Sequence, residues 1–214
     1  MDISTREFSG FTIRSISVSE MQNNVYLVTA EGADSHVLVD AADDLPAIQE
    51  LISAAGGGEV DAILTTHRHW DHVRALKDAA QTLTERTIAG VDDAEAITEE
   101  SGAPIAETVA NEDVLVVGGL SFACVALRGH TPGSIAFVLS DEDGQDVILS
   151  GDSLFPGGPG KTWSDEDFDS LMDDLEERVF GRFADEAQVL PGHGDGTTLG
   201  AERPHLAEWR ARRW

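Results

Sequence analysis

The stretch His67-Arg68-His69-Trp70-Asp71-His72 places four potential metal ligands within six residues. It follows the apolar run 60–66, which is rich in β-branched residues and comes after the turn-forming glycines 56–58. A run of this length and composition predicts a buried strand. The histidines therefore begin where a strand ends, and loops at such positions commonly carry function.

The predicted side-chain directions divide these ligands into two pairs. Alternate side chains of extended backbone point to the same side, so His67 and His69 are predicted to share one cation. Asp71 and His72 fall at a predicted helix start, which directs them elsewhere. Solvated loop residues or helix caps are the alternative, but they require chance clustering in a chain with seven histidines. The helical pattern His-Glu-x-x-His of another zinc site is absent.

Three further candidate ligands share one context, a polar residue beside glycine after an apolar run. They are His130, Asp152 and His193. Glycine permits unusual backbone angles and the close approach of a ligand. Each residue alone is more typical of a turn than of a metal site, but the repeated context favours a shared site. Imidazole and carboxylate groups suit Zn²⁺ and Fe²⁺.

In order and residue type, this set resembles the metallo-β-lactamase fold superfamily over nearly the whole chain. The resemblance implies an α/β (α+β) fold, a four-layer αββα sandwich with ligands at one sheet edge. It also implies two divalent metal ions, zinc being favoured and iron being the alternative. One metal would be held by His67, His69 and His130, a second by Asp71, His72 and His193, with Asp152 bridging. Asp40, which follows the apolar run 37–39, matches an aspartate that supports the ligands.

Within the superfamily, segments 151–162 and 192–203 are similar to small glyoxalase II-like and persulfide dioxygenase-like members. The first resemblance implies hydrolysis of a hydroxyacyl-thiol thioester, a small-molecule substrate, by a metal-bridging hydroxide, with Asp71 and Asp152 as catalytic residues. The second implies a mononuclear iron persulfide dioxygenase that uses His67, His130 and Asp152. A lactonase or β-lactamase-type hydrolase and a metal-binding module without turnover are further alternatives. Many zinc β-lactamases carry cysteine where Asp152 stands.

Lys161 is the candidate substrate-binding residue. It follows Asp152 by nine residues, where glyoxalase II has a lysine that contacts the thiol carrier and persulfide dioxygenases tend to have arginine. Thr162 matches the dioxygenase pattern instead, and a solvated loop lysine is the plain alternative. Residues 201–214 allow one helix, whereas longer glyoxalase II enzymes add a helical domain with glutathione contacts, which argues against glutathione as the carrier.

The composition indicates a single domain over residues 1–214, with 41% hydrophobic residues to form its core. Because the chain lacks a membrane-length apolar span and a secretory pattern at its N-terminus, we expect a cytoplasmic protein without membrane contact. The single Cys124 lies in an apolar run and is predicted to be a core residue in a reducing compartment.

The charge is strongly acidic, with 40 acidic and 14 basic residues and a formal net charge of −26. Phosphates are bound by lysine and arginine, so this balance disfavours a nucleic-acid partner. We interpret the charge as a halophilic adaptation, since at about 1 M salt the screening length falls to about 3 Å. Ordinary acidic solubility is the alternative.

Hydrophobic periodicity predicts the elements along the chain. Strands are predicted near residues 11–18, 24–30, 35–40, 60–66, 86–90, 113–117, 120–127, 134–140, 145–150 and 186–190. Helices are predicted near residues 44–55, 71–81, 92–101 and 165–179 and from about 201. Two β-rich halves, each followed by helices, also favour an αββα sandwich. His36 and His205 are predicted to be packing or surface residues. Trp209 and Trp214 fit either the packing of the last helix or a subunit contact. The sequence is therefore compatible with a monomer and with a homo-oligomer.

Overall fold

Two β-sheets lie face to face at the centre of the molecule, and helices cover the outer face of each. The computed structural model describes residues 2–213. The layers follow the order helix, sheet, sheet, helix, so the predicted αββα sandwich is confirmed.

The first sheet has seven strands that are ordered as they follow along the chain. They are β1 (Ser4–Phe8), β2 (Phe11–Val18), β3 (Asn23–Ala30), β4 (Ser35–Val39), β5 (Glu59–Thr65), β6 (Thr87–Gly90) and β7 (Glu107–Val109). Strands β1 to β4 pair antiparallel, whereas β4 to β7 pair parallel. Helices α1 (Leu45–Ala54), α2 (Leu76–Thr82) and α3 (Ala94–Ser101) lie against its outer face.

The second sheet has six strands in the order β15-β14-β11-β10-β9-β8. They are β8 (Val114–Val117), β9 (Leu120–Ala126), β10 (Ile135–Ser140), β11 (Asp146–Gly151), β14 (Gln188–Pro191) and β15 (Thr197–Thr198). The short hairpin of β12 (Leu154–Phe155) and β13 (Gly158–Pro159) lies beside it. Only β11 and β14 pair parallel within the described part of this sheet. The outer helices are α4 (Asp165–Asp174), α5 (Leu199–Glu202) and α6 (Leu206–Arg212).

The sequence explains the layers, because alternate strand residues point to opposite faces. Along β9, for example, Phe122 and Cys124 enter the layer between the sheets, while Val125 packs beneath the outer helices. Cys124 is 1% exposed, as predicted. Trp209 is buried against Phe180, with ring centroids 6.2 Å apart, whereas Trp214 lies outside the described residues.

Three predicted helices differ from the structure. The helix predicted from Asp71 begins at Leu76, after a 3₁₀ turn over Trp70–His72. The backbone N–H groups of Arg74 and Ala75 donate to the carbonyls of Ala42 and Ala41, so this segment is held by the preceding loop. The helix predicted over 165–179 continues after α4 as a π-helical turn over Leu175–Phe180. The helix predicted from residue 201 is broken by a 3₁₀ turn at Arg203–His205, where a proline lacks an N–H donor.

His36 and His205 occupy the positions that the sequence predicts. His36 is buried, and its ring nitrogens lie 2.8 Å from Thr29 Oγ1 and from the carbonyl oxygen of Gly57. His205 lies near the surface beside Glu208. Neither residue belongs to a group of candidate metal ligands in the described part of the chain. Across residues 2–213, no helix combines the length and the hydropathy that a bilayer crossing needs.

Candidate metal centre

The candidate ligands converge where strands of both sheets end. Asp40 follows β4, the segment 67–72 follows β5, His130 follows β9, Asp152 follows β11 and His193 follows β14. Two backbone hydrogen bonds join the sheets at this edge, from Asn24 N to Gly192 O and from Ile135 N to Thr66 O. The site therefore lies at an edge where backbone hydrogen bonds join the two sheets.

Three histidines form the first group. One nitrogen from each of His67, His69 and His130 lies within 4.8 Å of the others. The Nε2 atom of His67 is 3.1 Å from Nδ1 of His69, which agrees with the prediction that alternate side chains share one side. The donor nitrogens of this group can therefore surround one cation.

A second group contains Asp71, His72 and His193, whose ligand atoms also lie within 4.8 Å of one another. The Nε2 atoms of His72 and His193 are 3.1 Å apart. The Oδ2 atom of Asp71 lies 3.2 Å from His193 Nε2. The two pairs within the segment 67–72 thus serve different groups, as the sequence predicts.

Asp152 lies between the two groups. Its Oδ1 atom is 3.4 Å from Nε2 of His72. Its Oδ2 atom is 3.4 Å from Nε2 of His193 and 3.6 Å from Nε2 of His130. One carboxylate therefore reaches both groups, which is the position expected of a bridging ligand.

The donor set fits two cations. Among the described residues, His130 Nε2 and Asp152 Oδ1 are buried without a hydrogen-bond partner. An unsatisfied buried polar atom costs about 1–3 kcal/mol, so both atoms indicate a missing partner. A cation supplies one, because imidazole nitrogen and carboxylate oxygen are the ligands of such metals. The two ligand groups therefore indicate a two-metal site.

Hydrogen bonds at the opposite ring nitrogens fix the orientation of the histidines. Nδ1 of His130 lies 2.7 Å from the carbonyl oxygen of Lys161, and Nδ1 of His193 lies 2.8 Å from that of Met21. Because a carbonyl accepts only, each Nδ1 carries a proton and donates it. In the neutral ring, Nε2 then keeps its lone pair for a metal.

Asp40 contacts the second group through His72, where the resemblance predicts a supporting aspartate. It is buried, and its carboxylate accepts hydrogen bonds from the backbone N–H and the hydroxyl of Thr66. Oδ2 of Asp40 is 2.9 Å from Nδ1 of His72. Its φ of 58° lies in the left-handed region, which aspartate tolerates better than most residues. The turn after β4 thus directs a carboxylate towards a ligand histidine.

Asn23 is a site residue that the sequence interpretation missed. It is fully buried, and its amide Nδ2 donates to Oδ2 of Asp71 at 2.9 Å. The same nitrogen is 3.5 Å from Nε2 of His193. A single asparagine at the start of β3 has no distinctive pattern. The only available signal was the Asn23-Asn24 pair after a turn.

The electrostatics differ between the two histidine groups. Burial lowers the pKa of His67, His69 and His130, and that of His69 falls to about 4. Neighbouring histidines add to the effect at His67 and His69. The first group therefore favours neutral imidazoles, the form that binds metal.

In the second group, the carboxylates outweigh burial. Burial lowers the pKa of His72, but the neighbouring carboxylates of Asp152 and Asp40 raise it to about 10. Burial likewise lowers the pKa of His193, but hydrogen bonds to Asp152 and Asp71 raise it to about 10. These carboxylates thus attract positive charge into the second group.

Gly192 shows why glycine flanks a ligand. A Cβ atom at this position would collide with Oδ1 of Asp152 and with the ring of His72. Any larger residue would push apart the carboxylate and the imidazole. The glycine context that identified the ligands in the sequence therefore has a steric cause here.

Lys161 lies at the border of the site. Its carbonyl oxygen accepts from His130, while its Nζ lies 4.3 Å from the ring centroid of Trp163. Trp163 is 65% exposed and packs edge-on to His69 at 6.4 Å. A cavity of about 420 Å³ adjoins them and is lined by the loop 155–161 and Arg212. A cationic, aromatic wall thus stands beside the first histidine group.

Sequence and structure comparisons place the chain among known proteins. The family model described as "Metallo-beta-lactamase superfamily" matches residues 18–197. Hydroxyacylglutathione hydrolase from Chromohalobacter salexigens is 31% identical over 183 residues, which are 83% of this chain and 65% of that protein. The chain spans 57% to 65% of the length of the four hydroxyacylglutathione hydrolases and related proteins compared.

Two solved structures extend the comparison. TTHA1623 in a di-iron-bound form is 30% identical, with a TM-score of 0.68 over 88% of this chain and 96% of that chain. ETHE1 from Myxococcus xanthus is 27% identical, with a TM-score of 0.75 over 91% of this chain and 82% of that chain. Together with the family model, these similarities show that the chain belongs to the metallo-beta-lactamase superfamily.

Proposed function

We propose that this chain is a metal-dependent hydrolase that cleaves a hydroxyacyl-thiol thioester, a small-molecule substrate. The observation that carries the proposal is the pair of ligand groups bridged by Asp152, in a chain whose relatives include hydroxyacylglutathione hydrolases. The proposed metals are two zinc ions. One would be held by His67, His69 and His130, and the other by Asp71, His72 and His193.

Two divalent cations held there would polarise the substrate carbonyl and lower the pKa of water towards neutrality. In the reaction, the water oxygen bonds to the thioester carbonyl carbon and the C–S bond breaks. One proton of the water passes to the sulfur, so the products are a hydroxy acid and a thiol. Asp71 would accept a hydrogen bond from the attacking water, and Asn23 holds that carboxylate in position. Asp152 would fix the spacing of the two groups.

Lys161 would bind the thiol carrier. Its ammonium group lies at the border of the site, beside an exposed tryptophan and a cavity that could admit a carrier. An anionic group on the carrier would complement this charge in a chain that is otherwise strongly acidic. We propose no nucleic-acid or membrane partner.

The second candidate function is oxidation of a thiol persulfide at a mononuclear iron site, held by His67, His130 and Asp152. The structural similarity to ETHE1 from Myxococcus xanthus, at 27% identity, favours it. Two histidines and one carboxylate form the ligand set that non-haem iron oxygenases use.

A paired assay separates the two functions. The protein is loaded with zinc or with iron and given a panel of hydroxyacyl thioesters while thiol release is followed. The same samples receive a thiol persulfide in an oxygen electrode. We expect thiol release from thioesters with either metal and no oxygen uptake. Oxygen consumption with the persulfide and no thioester cleavage would overturn the hydrolase proposal.

A further inference from the structure

Asp93 is a fully buried carboxylate outside both ligand groups. It precedes α3, where aspartate usually caps the helix with its side chain. No such cap is formed here, because the carboxylate turns towards two loops that carry metal ligands. The side chain therefore does something other than terminate its own helix.

The first of these loops is the segment 67–72. Oδ2 of Asp93 accepts a hydrogen bond from the backbone N–H of Arg68 at 3.1 Å. The guanidinium Nε of Arg68 lies 3.8 Å from Oδ1. Since Arg68 stands between His67 and His69, this contact holds the backbone that spaces the two histidines.

The second loop follows His130. Oδ2 of Asp93 accepts from the hydroxyl of Thr131 at 2.5 Å, and Oδ1 accepts from the backbone N–H of Gly133 at 2.9 Å. Thr131 is adjacent to His130 in the chain. One carboxylate thus ties together the two loops that supply all three histidines of the first group.

We infer that Asp93 is a positioning residue for the metal held by His67, His69 and His130. The ligands of the other metal depend on it less. Asp71 is held by Asn23 and His72 by Asp40, and in the described structure Asp93 makes no contact with the loop of His193. The inference rests on the metal assignment of the proposed function and predicts an unequal effect on the two metals. A general loss of stability would instead weaken the binding of both metals alike.

The test is zinc titration of the metal-free protein against a chromophoric chelator, for the wild-type chain and for Asp93→Asn. Asparagine keeps the shape, but its amide nitrogen is a donor, so at least one of the three facing donors loses its acceptor. Substitution of groups that orient metal ligands typically costs about 10–100-fold in affinity. We expect one of two zinc ions to bind about tenfold or more weakly and the other to keep its affinity within about threefold.

A His193→Ala background assigns the affected ion, because it keeps all three ligands of the first group. Asp93→Asn should weaken zinc binding in this background by a similar factor. The Thr131→Val variant removes the hydroxyl that donates to Asp93, so it should weaken binding of the same zinc ion. It replaces Asp93→Asn in the test if that variant does not fold. Asp61→Asn is the matched control, because Asp61 accepts from Ser35 Oγ at the opposite end of β5, and it should leave both affinities unchanged.

The outcomes are distinguishable. Equal weakening of both ions, or unchanged binding in Asp93→Asn and Thr131→Val, would overturn the role of Asp93 and leave the metal assignment intact. A wild-type chain that binds no zinc would overturn the metal assignment and this inference with it. Far-UV circular dichroism establishes that each titrated variant is folded.

Discussion

A single hydrogen bond decides which nitrogen His130 and His193 each offer to a metal. The carbonyls of Lys161 and Met21 hold the Nδ1 protons of His130 and His193, so Nε2 points into the centre. Both carbonyls belong to the backbone, so they remain when the side chain of Lys161 or Met21 is substituted. The Lys161 side chain can therefore be tested separately from its carbonyl.

The Lys161→Ala variant should raise KM about tenfold and leave kcat within about twofold, because a lost hydrogen bond to a charged group costs about 1.5 kcal/mol or more. Steady-state kinetics with an anionic thioester measures both constants. Lys77→Ala removes the other lysine of the chain, on α2, and should leave both unchanged. An effect confined to kcat would contradict carrier binding by Lys161.

At the residue scale, predictability depended on repetition. The ligands stood out because three glycine-flanked polar residues repeat the context of the segment 67–72. Asn23 and Asp93 could not be found in this way. Each is one polar residue without a repeated neighbourhood, and Asp93 is one of 40 acidic residues. Only the fold shows that their side chains turn inwards.

At the scale of elements, strands were easier to predict than helix boundaries. Buried strands have continuous or alternating apolar patterns, and the main ones lie close to their predicted positions. The helix predicted from Asp71 was wrong because its first turn is held by the carbonyls of Ala41 and Ala42, a tertiary contact. The short strands β1 and β7 were missed, and both lie at sheet edges with little burial.

The burial of Cys124 in strand β9 predicts a weakly reactive thiol. Burial raises the pKa of its thiol to about 11 from an ordinary 9.0. The thiolate, which is the reactive form, should therefore be about a hundredfold scarcer in the folded protein at pH 8. The folded protein holds this proton more tightly than the unfolded chain does. The contribution of this shift to stability should therefore be complete below about pH 9 and should be lost as the pH rises through about 11.

Alkylation with iodoacetamide measures this directly. The folded protein at pH 8 should react at least about a hundredfold more slowly than the same chain in urea. The unfolded chain is its own control, since its thiol has the ordinary pKa. Equal rates in the two states would show that Cys124 is accessible and that the account of β9 is wrong.

At the scale of the whole molecule, the layer order was predicted both by the family resemblance and by two β-rich halves that are each followed by helices. Apolar runs predict strands, but they do not specify which strands pair or that β4 to β7 run parallel. Those pairings bring distant segments together, and His67 and His193 are 126 positions apart in the sequence. The single domain over residues 1–214, the cytoplasmic location and the oligomeric state stay predictions.

The net charge of −26 also acts on the whole molecule. In dilute buffer the carboxylates repel one another, whereas at about 1 M salt they are screened within about 3 Å. The thermal unfolding midpoint should therefore rise by several degrees between about 20 mM and about 2 M potassium chloride. Differential scanning calorimetry measures it, and an unchanged midpoint would contradict the halophilic interpretation.

The central claim is that seven side chains hold two metals with Asp152 between them, and metal analysis tests it most directly. Inductively coupled plasma mass spectrometry of the protein after metal loading and gel filtration should give two metal ions per wild-type chain and at most one per Asp152→Ala chain. One iron ion per wild-type chain, or two ions retained in the variant, would contradict the two-metal account.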